Sequence, residues 1–593
     1  TYTVTQDDVD NGSVENLAVV NANDENDDPL EETESTNDID NPGKPGIPGE
    51  ATVTIITSPP ISGAPFVTIW NTGNSGASGN GQIIIPAHGQ YNYTWENLGD
   101  PTQQGGGSAT GTIVLSLPAV GEFKLSMTPT GSNPFHQIKF NDGGDKLKII
   151  SVENWGTIEW SSMEKAFYGA ENLIINAVGI PNLDNVSDMS YAFAGTNIEN
   201  VVNMHNWNTS EVTDLSSIFE NASSFNESIE TWDVSNVTDM TKAFKGATAF
   251  NQSLNNWEVT NVISMQSMFE GAASFNQPLS SWDVQQVSTI ISMFKNASNF
   301  NQNLNTWEIS QITDMTDLFN GASSFNQSLS LWDVSNVVKM YGMFANTSAF
   351  NQNLSSWNVS NVNNMNYMFM NALAYNQDLS SWDVSNVTLT KGMFAGTQSF
   401  NQPLHSWDVS QVKDMEAMFE NASGFDQSLE DWDLNSLETA KNMLNHSGIN
   451  CLKYSQTLKA WSGNPNTPTH ITLGAENMSY STQVEEHRNY LITSLGWNIL
   501  EDILGSCLLS VDSEAEITFE IYPNPTKDIL YINGLAGSES IKLFDLHGRL
   551  IKSLIANKQE EIIDMTEFAS GVYFLNIEIG NTIQNTKKII KQQ

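Results

Sequence analysis

The sequence predicts a multidomain protein: a long solenoid, each repeat a parallel strand plus a short helix, flanked by small all-β sandwiches. Three observations carry that prediction. Ten tryptophans stand 25 residues apart, at Trp207, Trp232, Trp257, Trp282, Trp307, Trp332, Trp357, Trp382, Trp407 and Trp432. A strict period in the range of about 20–50 residues marks stacked supersecondary units. Within each period a stretch of alternating residues gives way to helical spacing, and outside the array short apolar runs sit between turn residues.

Charge narrows the function classes. The 593 residues carry 68 acidic and 24 basic side chains, a formal net charge of −44. Such a surface repels nucleic acid and anionic membrane, and remains compatible with divalent cations, basic proteins or neutral glycans. No apolar run approaches the roughly 18 residues of a membrane span. The chain opens on Thr1-Tyr2-Thr3, without Met or a signal peptide, so an export signal is expected upstream.

Residues 1–50 hold 14 acidic residues against Lys44 and end in a Pro/Gly run, which reads as a disordered segment and a spacer. Before that run, Tyr2–Gln6 and Val14–Val20 are strand-like and resemble the last strands of a β-sandwich repeat of large bacterial surface proteins. Residues 51–145 carry short β runs, among them Ile83-Ile84-Ile85, Thr112-Ile113-Val114-Leu115 and Glu122-Phe123-Lys124-Leu125, which predict a small immunoglobulin-like sandwich. This block resembles a PKD-like module, with Leu98-Gly99-Asp100 in place of that module's usual Trp-Gly-Asp-Gly turn.

Residues 146–446 follow the repeat. Leu279-Ser280-Ser281-Trp282-Asp283-Val284 has the Leu-x-x-Leu-x-Leu shape of a leucine-rich-repeat strand. Alternation puts Trp282 and Val284 on one face and Asp283 on the other. Val237, Met240, Phe244 and Ala247 then stand at i, i+3, i+7 and i+10, one stripe of a short helix, with Asn236 and Asp239 as a capping pair. Looser copies precede the ladder at Trp155, Met163 and Phe167 and at Pro181, Met189 and Phe193.

At 436–444 the motif decays, and 447–510 reads as the cap that the open end of a stack requires. Cys451 and Cys507 bracket it. They are too few for a zinc site. In an oxidising exterior they could pair, a loop closure worth about 4 kcal/mol; two free buried thiols are the alternative. Residues 511–593 shift to alternating apolar runs such as Ile529-Leu530-Tyr531-Ile532, which predict a further all-β sandwich.

Three columns run along the array. The tryptophans are assigned to the core rather than to an exposed aromatic platform. Asn226, Asn251, Asn276, Asn301, Asn326, Asn351, Asn376 and Asn401 occupy one turn position, where stacked amides can bond the next coil. The residue after each tryptophan forms an acidic column: Asp233, Glu258, Asp283, Glu308, Asp333, Asp383, Asp408 and Asp433, interrupted by Asn358. Like charges stacked this closely need an offset from cations, hydroxyls or a basic partner. The column is therefore the candidate partner-binding strip, and it is compatible with calcium, although a solvated face is the alternative. The eight histidines are scattered and form no metal or nucleophile motif. Catalysis is not expected, and no resident cofactor is implied.

Two resemblances sharpen this reading. The array, with its recurrent Trp-Asp-Val-Ser-Asn-Val and Phe-Asn-Gln, resembles the BspA-type leucine-rich repeat family of bacterial surface proteins, which implies a surface-exposed, adhesin-like role. Tyr522-Pro523-Asn524-Pro525, then Gly548-Arg549, then Gly571-Val572-Tyr573 and Lys591 resemble the C-terminal sorting domain of the type IX secretion system. That resemblance implies export to the surface of a Bacteroidota-type bacterium and contact with the secretion machinery. The expected function is non-catalytic recognition of a protein on a host, a neighbouring cell or a substrate surface. Glycan capture, with Tyr341 or Tyr367 lined up beside the array, is one alternative. A stalk or anchor for an active domain upstream is another.

Overall fold

A computed structural model of the protein describes residues 63–507, 519–579 and 582–592, apart from residues 536 and 538. The acidic segment and linker expected over 1–50 lie outside the described residues, as does the start of the 51–145 block.

The N-terminal module is built on β1 (Phe66–Asn71), β2 (Gln82–Ile85), β3 (Ala87–His88), β4 (Gln90–Asn97), β5 (Gln104–Thr110), β6 (Ile113–Ser116), β7 (Glu122–Pro129), β8 (Gln137–Ile138), β9 (Ile149–Asn154) and β10 (Ile174–Ile175). One six-stranded sheet runs β10-β9-β1-β7-β4-β5, while β2 pairs with β6 and β3 with β8. The sheet does not end near residue 145. Ile149–Asn154 pairs antiparallel with β1 and parallel with β10, so the ladder continues into the first repeat. Beneath it, Asp145 and Lys148 are fully buried. The ammonium donates to the carbonyls of Ser78, Gly79 and Gln82 and to the Ser78 hydroxyl, while the carboxylate accepts from Ser78 and Ile84. Every pole of this buried pair is satisfied, as a buried charge requires.

The repeat array departs from the expected fold. Among the described residues no β-strand and no α-helix lies between Ile175 and Cys451, where the one helical element is the 3-10 turn Met204–Asn206. The leucine-rich-repeat solenoid of parallel strand plus short helix is therefore not the architecture of this segment. Each rung is instead a chain of tight turns. Trp232 donates to Ile229, Val237 to Val234, Ala243 to Met240, Ala247 to Phe244 and Phe250 to Ala247, all at 2.9–3.1 Å.

Alternate N–H groups leave the rung: Met240, Lys242, Phe244 and Gly246 donate to the carbonyls of Ser264, Gln266, Met268 and Glu270 in the next. Lys242 (φ 57°) and Gly246 (φ 69°) are left-handed, which forbids a continuous α-helix. Turns that bury every third residue imitate the i, i+3 stripe of a helix, which is why the spacing misleads. Asn236 and Asp239 consequently cap nothing: Asn236 donates to the Ser210 carbonyl, and Asp239 accepts from Thr241.

Equivalent rings stack from rung to rung, with centroids 5.8 Å apart for Phe269 and Phe294, 6.0 Å for Phe275 and Phe300, and 6.4 Å for Trp282 and Trp307. Isolated parallel bridges, such as Asp188–Asp214–Asp239–Ser264–Thr289, run along one edge.

The array ends against α1 (Cys451–Gly463), β11 (Thr472–Gly474), β12 (Ser479–Ser481), α2 (Glu485–Thr493), β13 (Asn498–Leu500) and β14 (Ile503–Gly505). A single hydrophobic core extends from Phe66 to Ile499, so N-terminal sheet, array and cap share one interior. A separate core, from Phe519 to Ile589, lies within the C-terminal segment. There β15 (Glu520–Tyr522), β16 (Ile529–Asn533) and β19 (Glu560–Asp564) form one sheet. The second sheet comprises β17 (Ser540–Asp545), β18 (Leu550–Ile555), β20 (Gly571–Ile579) and β21 (Thr582–Lys591), in the order β18-β17-β20-β21.

Candidate functional site

The tryptophan column is interior. Trp232 through Trp432 are no more than 4% exposed. Each indole N–H reaches back to a main-chain carbonyl of the preceding rung: Trp257 to Ile229, Trp282 to Leu254, Trp307 to Leu279, and so on at 2.8–3.0 Å. A buried indole needs such a partner. At the start of the ladder Trp207 lacks one, and its buried Nε1 is unpaired.

The asparagine column is a second internal ladder. The N–H of Asn276 donates to Oδ1 of Asn251, that of Asn301 to Asn276 and that of Asn326 to Asn301, each at 2.9 Å. Gln277, Gln302 and Gln327 add their Nε2 groups to the same oxygens. Asp426 extends the ladder, and Asn450 closes it at the N-cap of α1.

The acidic column faces outward and does local work. Oδ1 of Asp233, Asp283, Asp333, Asp383, Asp408 and Asp433 accepts the N–H two residues on, at 3.0–3.2 Å. Asn358 does the same toward Ser360, so the position requires a short acceptor before it requires a charge. Glu258 and Glu308 are too long to close this turn and make no such bond. The serine hydroxyl, and then the serine N–H, hold the carboxyls of Asp233, Asp333 and Asp383 below the usual range. These groups are ionised at neutral pH. Asp433 also accepts, through Oδ2, from the side-chain amide of Asn466 in the cap at 3.1 Å. Among the described residues no three His, Cys, Asp or Glu side chains converge as a metal site.

Tyr341 and Tyr367 meet edge to face, with centroids 5.5 Å apart and planes at 75°, which is not a flat platform for a sugar ring. Tyr367 lies over Gly392, where a Cβ would meet the ring at 2.6 Å.

Cys451 and Cys507 form a disulfide across the cap, with Cα atoms 6.0 Å apart. Behind it, Arg488 pairs with the buried Asp502, which also accepts from the Tyr454 hydroxyl.

The sorting motif is a clasp. Asn524 accepts the N–H of Ile590 through Oδ1 and donates Nδ2 to the carbonyl of Lys588, gripping β21 along its outer edge. Thr526 donates its N–H to the Ile590 carbonyl there and accepts that of Gln592. Tyr522 and Pro523 lead into this contact through a cis peptide, as Asn524 does to Pro525. Asp545 builds the next turn, accepting from His547 and from the main chain and guanidinium of Arg549, while Gly548 supplies the left-handed residue (φ 74°). Gly571 opens β20, the Tyr573 hydroxyl donates to the Ala569 carbonyl, and Lys591 donates to the Gln592 carbonyl. What the motif alone does not reveal is that these residues, far apart in sequence, tie the first strand to the last.

The family described as Mycoplasma protein of unknown function, DUF285, matches residues 137–230, 187–307, 292–397 and 374–461, together more than half of the chain. The family described as Secretion system C-terminal sorting domain matches residues 520–592. Over 97 residues, 16% of this chain, the sequence is 34% identical to a protein of Nonlabens ulvanivorans described as an ulvan lyase. The chain spans 17% of that protein's length. No solved structure matches.

Proposed function

This chain belongs to the family described as Mycoplasma protein of unknown function, DUF285, and on that premise we propose that it is a non-catalytic, adhesin-like protein whose array recognises another protein. Its tail indicates export by type IX secretion, and a secreted or cell-surface location in a Bacteroidota-type bacterium. One observation carries the reading: the rungs keep their tryptophan rings inside, and from Asp233 to Asp433 all but the Asn358 rung turn an acidic side chain outward, which yields a long acidic strip. A partner with basic side chains at matching intervals is the complement of such a strip.

Screening the full chain against host-protein and polysaccharide arrays, with and without calcium, tests this reading. Basic proteins should be retained, and binding should weaken when Asp233, Asp283, Asp333 and Asp383 are changed together to Asn. Retention that ignores those changes removes the acidic strip from consideration. Glycan capture is the second reading, favoured by the stretch shared with a protein whose name assigns it to ulvan. Polysaccharide binding in the same screen would select it, and silence on both arrays would favour a stalk or anchor.

A further inference from the structure

We propose that the outer face of the β18-β17-β20-β21 sheet, centred on Phe544 and Phe574, is the surface by which a protein of the export machinery reads the folded tail. The proposal rests on export by the type IX route.

The motif residues that mark this tail are already committed within it. Asn524 is bonded on both polar ends of its amide to β21. Asp545 and Arg549 hold one another, and the Tyr573 hydroxyl is bound to Ala569. A receptor reading these residues as a linear tag would have to break all of those bonds. A receptor reading the surface they build would break none.

Strand alternation decides what that surface carries. Ile541 and Leu543 of β17 and Leu575 and Ile577 of β20 point into the core. The intervening residues point out, and the pairing aligns them: Phe544 lies opposite Phe574 on one side and Leu550 on the other, and Phe574 lies opposite Lys588. Phe574 is 38% exposed, Leu550 54% and Leu546, in the adjoining turn, 63%. Phe544, Leu546 and Phe574 border a hollow of about 300 Å³ lined also by Asp545, Gly548 and Asn576. The outward face of an antiparallel sheet is ordinarily polar. An apolar row with a hollow is the form of an interaction site.

Charge selects the occupant. The chain as a whole is formally −44, yet the exposed Lys588 lies opposite Phe574 on the apolar row, while Arg549 at the turn is held by Asp545. The fitting partner is a protein that inserts an apolar side chain into the hollow and sets a carboxylate against Lys588. A second copy of so acidic a chain would be repelled.

The test expresses the full-length protein in a bacterium with a working type IX system, measuring the fraction at the surface or in the medium against that retained in the periplasm. Phe574→Gln and, separately, Leu546→Gln should each export about tenfold less than the parent, the loss expected of an interface hot spot. Leu546 lies in a turn outside the core, so its variant keeps the test open if Phe574→Gln does not fold; melting of the purified variants checks this. Ile562→Gln, at an apolar residue 50% exposed on the other sheet, should export normally. Folded Leu546→Gln that exports like the parent overturns the proposal, as does equal loss for Ile562→Gln. A chain lacking residues 519–593 separates the two premises: if it is exported normally, the export reading itself fails.

Discussion

The indole N–H of Trp461 donates to the carbonyl of Leu429 at 3.2 Å, repeating from inside a helix the bond that Trp432 makes to Leu404. The cap thus ends the stack by supplying a further tryptophan rung from different secondary structure. Replacing Trp461 with Phe keeps most of the ring and removes one of the two bonds that the Leu429 carbonyl accepts, the other coming from the Trp432 N–H. It should cost about 0.5–1.5 kcal/mol, read by denaturant unfolding, with faster amide exchange in the last rungs.

The disulfide closes the same cap at a sequence separation of 56 residues. A loop of that size stabilises by about 4 kcal/mol through the unfolded chain. Cys451→Ser with Cys507→Ser should lower the unfolding midpoint of the cap by that order, and reductant should do the same to the parent but not to the double variant.

Asn301 accepts both the N–H of Asn326 and the amide of Gln327. Asn301→Ala strands the main-chain donor and should destabilise the array by about 1–3 kcal/mol. Asn301→Asp keeps the acceptor and should recover most of the loss at neutral pH, as Asp426 does in the native ladder.

The depressed carboxyls of Asp233, Asp333 and Asp383 set a sign for acid. Their contribution is complete above the unfolded value of about 3.9 and is withdrawn as pH falls through the lower folded value. Melting temperature should therefore be insensitive to these groups at neutral pH and should fall only in strong acid. Because Asn358 closes the same turn, Asp383→Asn should stay within about 0.5 kcal/mol of the parent at pH 7 and remove part of the acid dependence.

Asn524→Ala opens the clasp on β21, freeing a main-chain donor and an acceptor together. Limited proteolysis should cut the tail of this variant well before that of the parent, whereas Lys588→Ala, which loses no main-chain bond, should resist as the parent does.

Much of this molecule is legible from residues alone. The 25-residue period, the buried face of Trp282 and Val284, the outward Asp283 and the stacking of Asn251 on Asn276 follow from composition and spacing, because each depends on which side chains tolerate water. The sorting motif is legible too, although its physical task is not. Phe544 and Phe574 escape notice because alternation cannot say which face of a sheet is covered.

Sequence by itself determined the repeat, its register and the tail. Only the tertiary structure decided what backbone lies between Val237 and Phe250. An apolar residue every third or fourth position suits a helix and a chain of turns equally. The difference is where the N–H groups go, and at Met240, Lys242, Phe244 and Gly246 they go to the next rung. A single repeat has no next rung, so its spacing carries no trace of that choice.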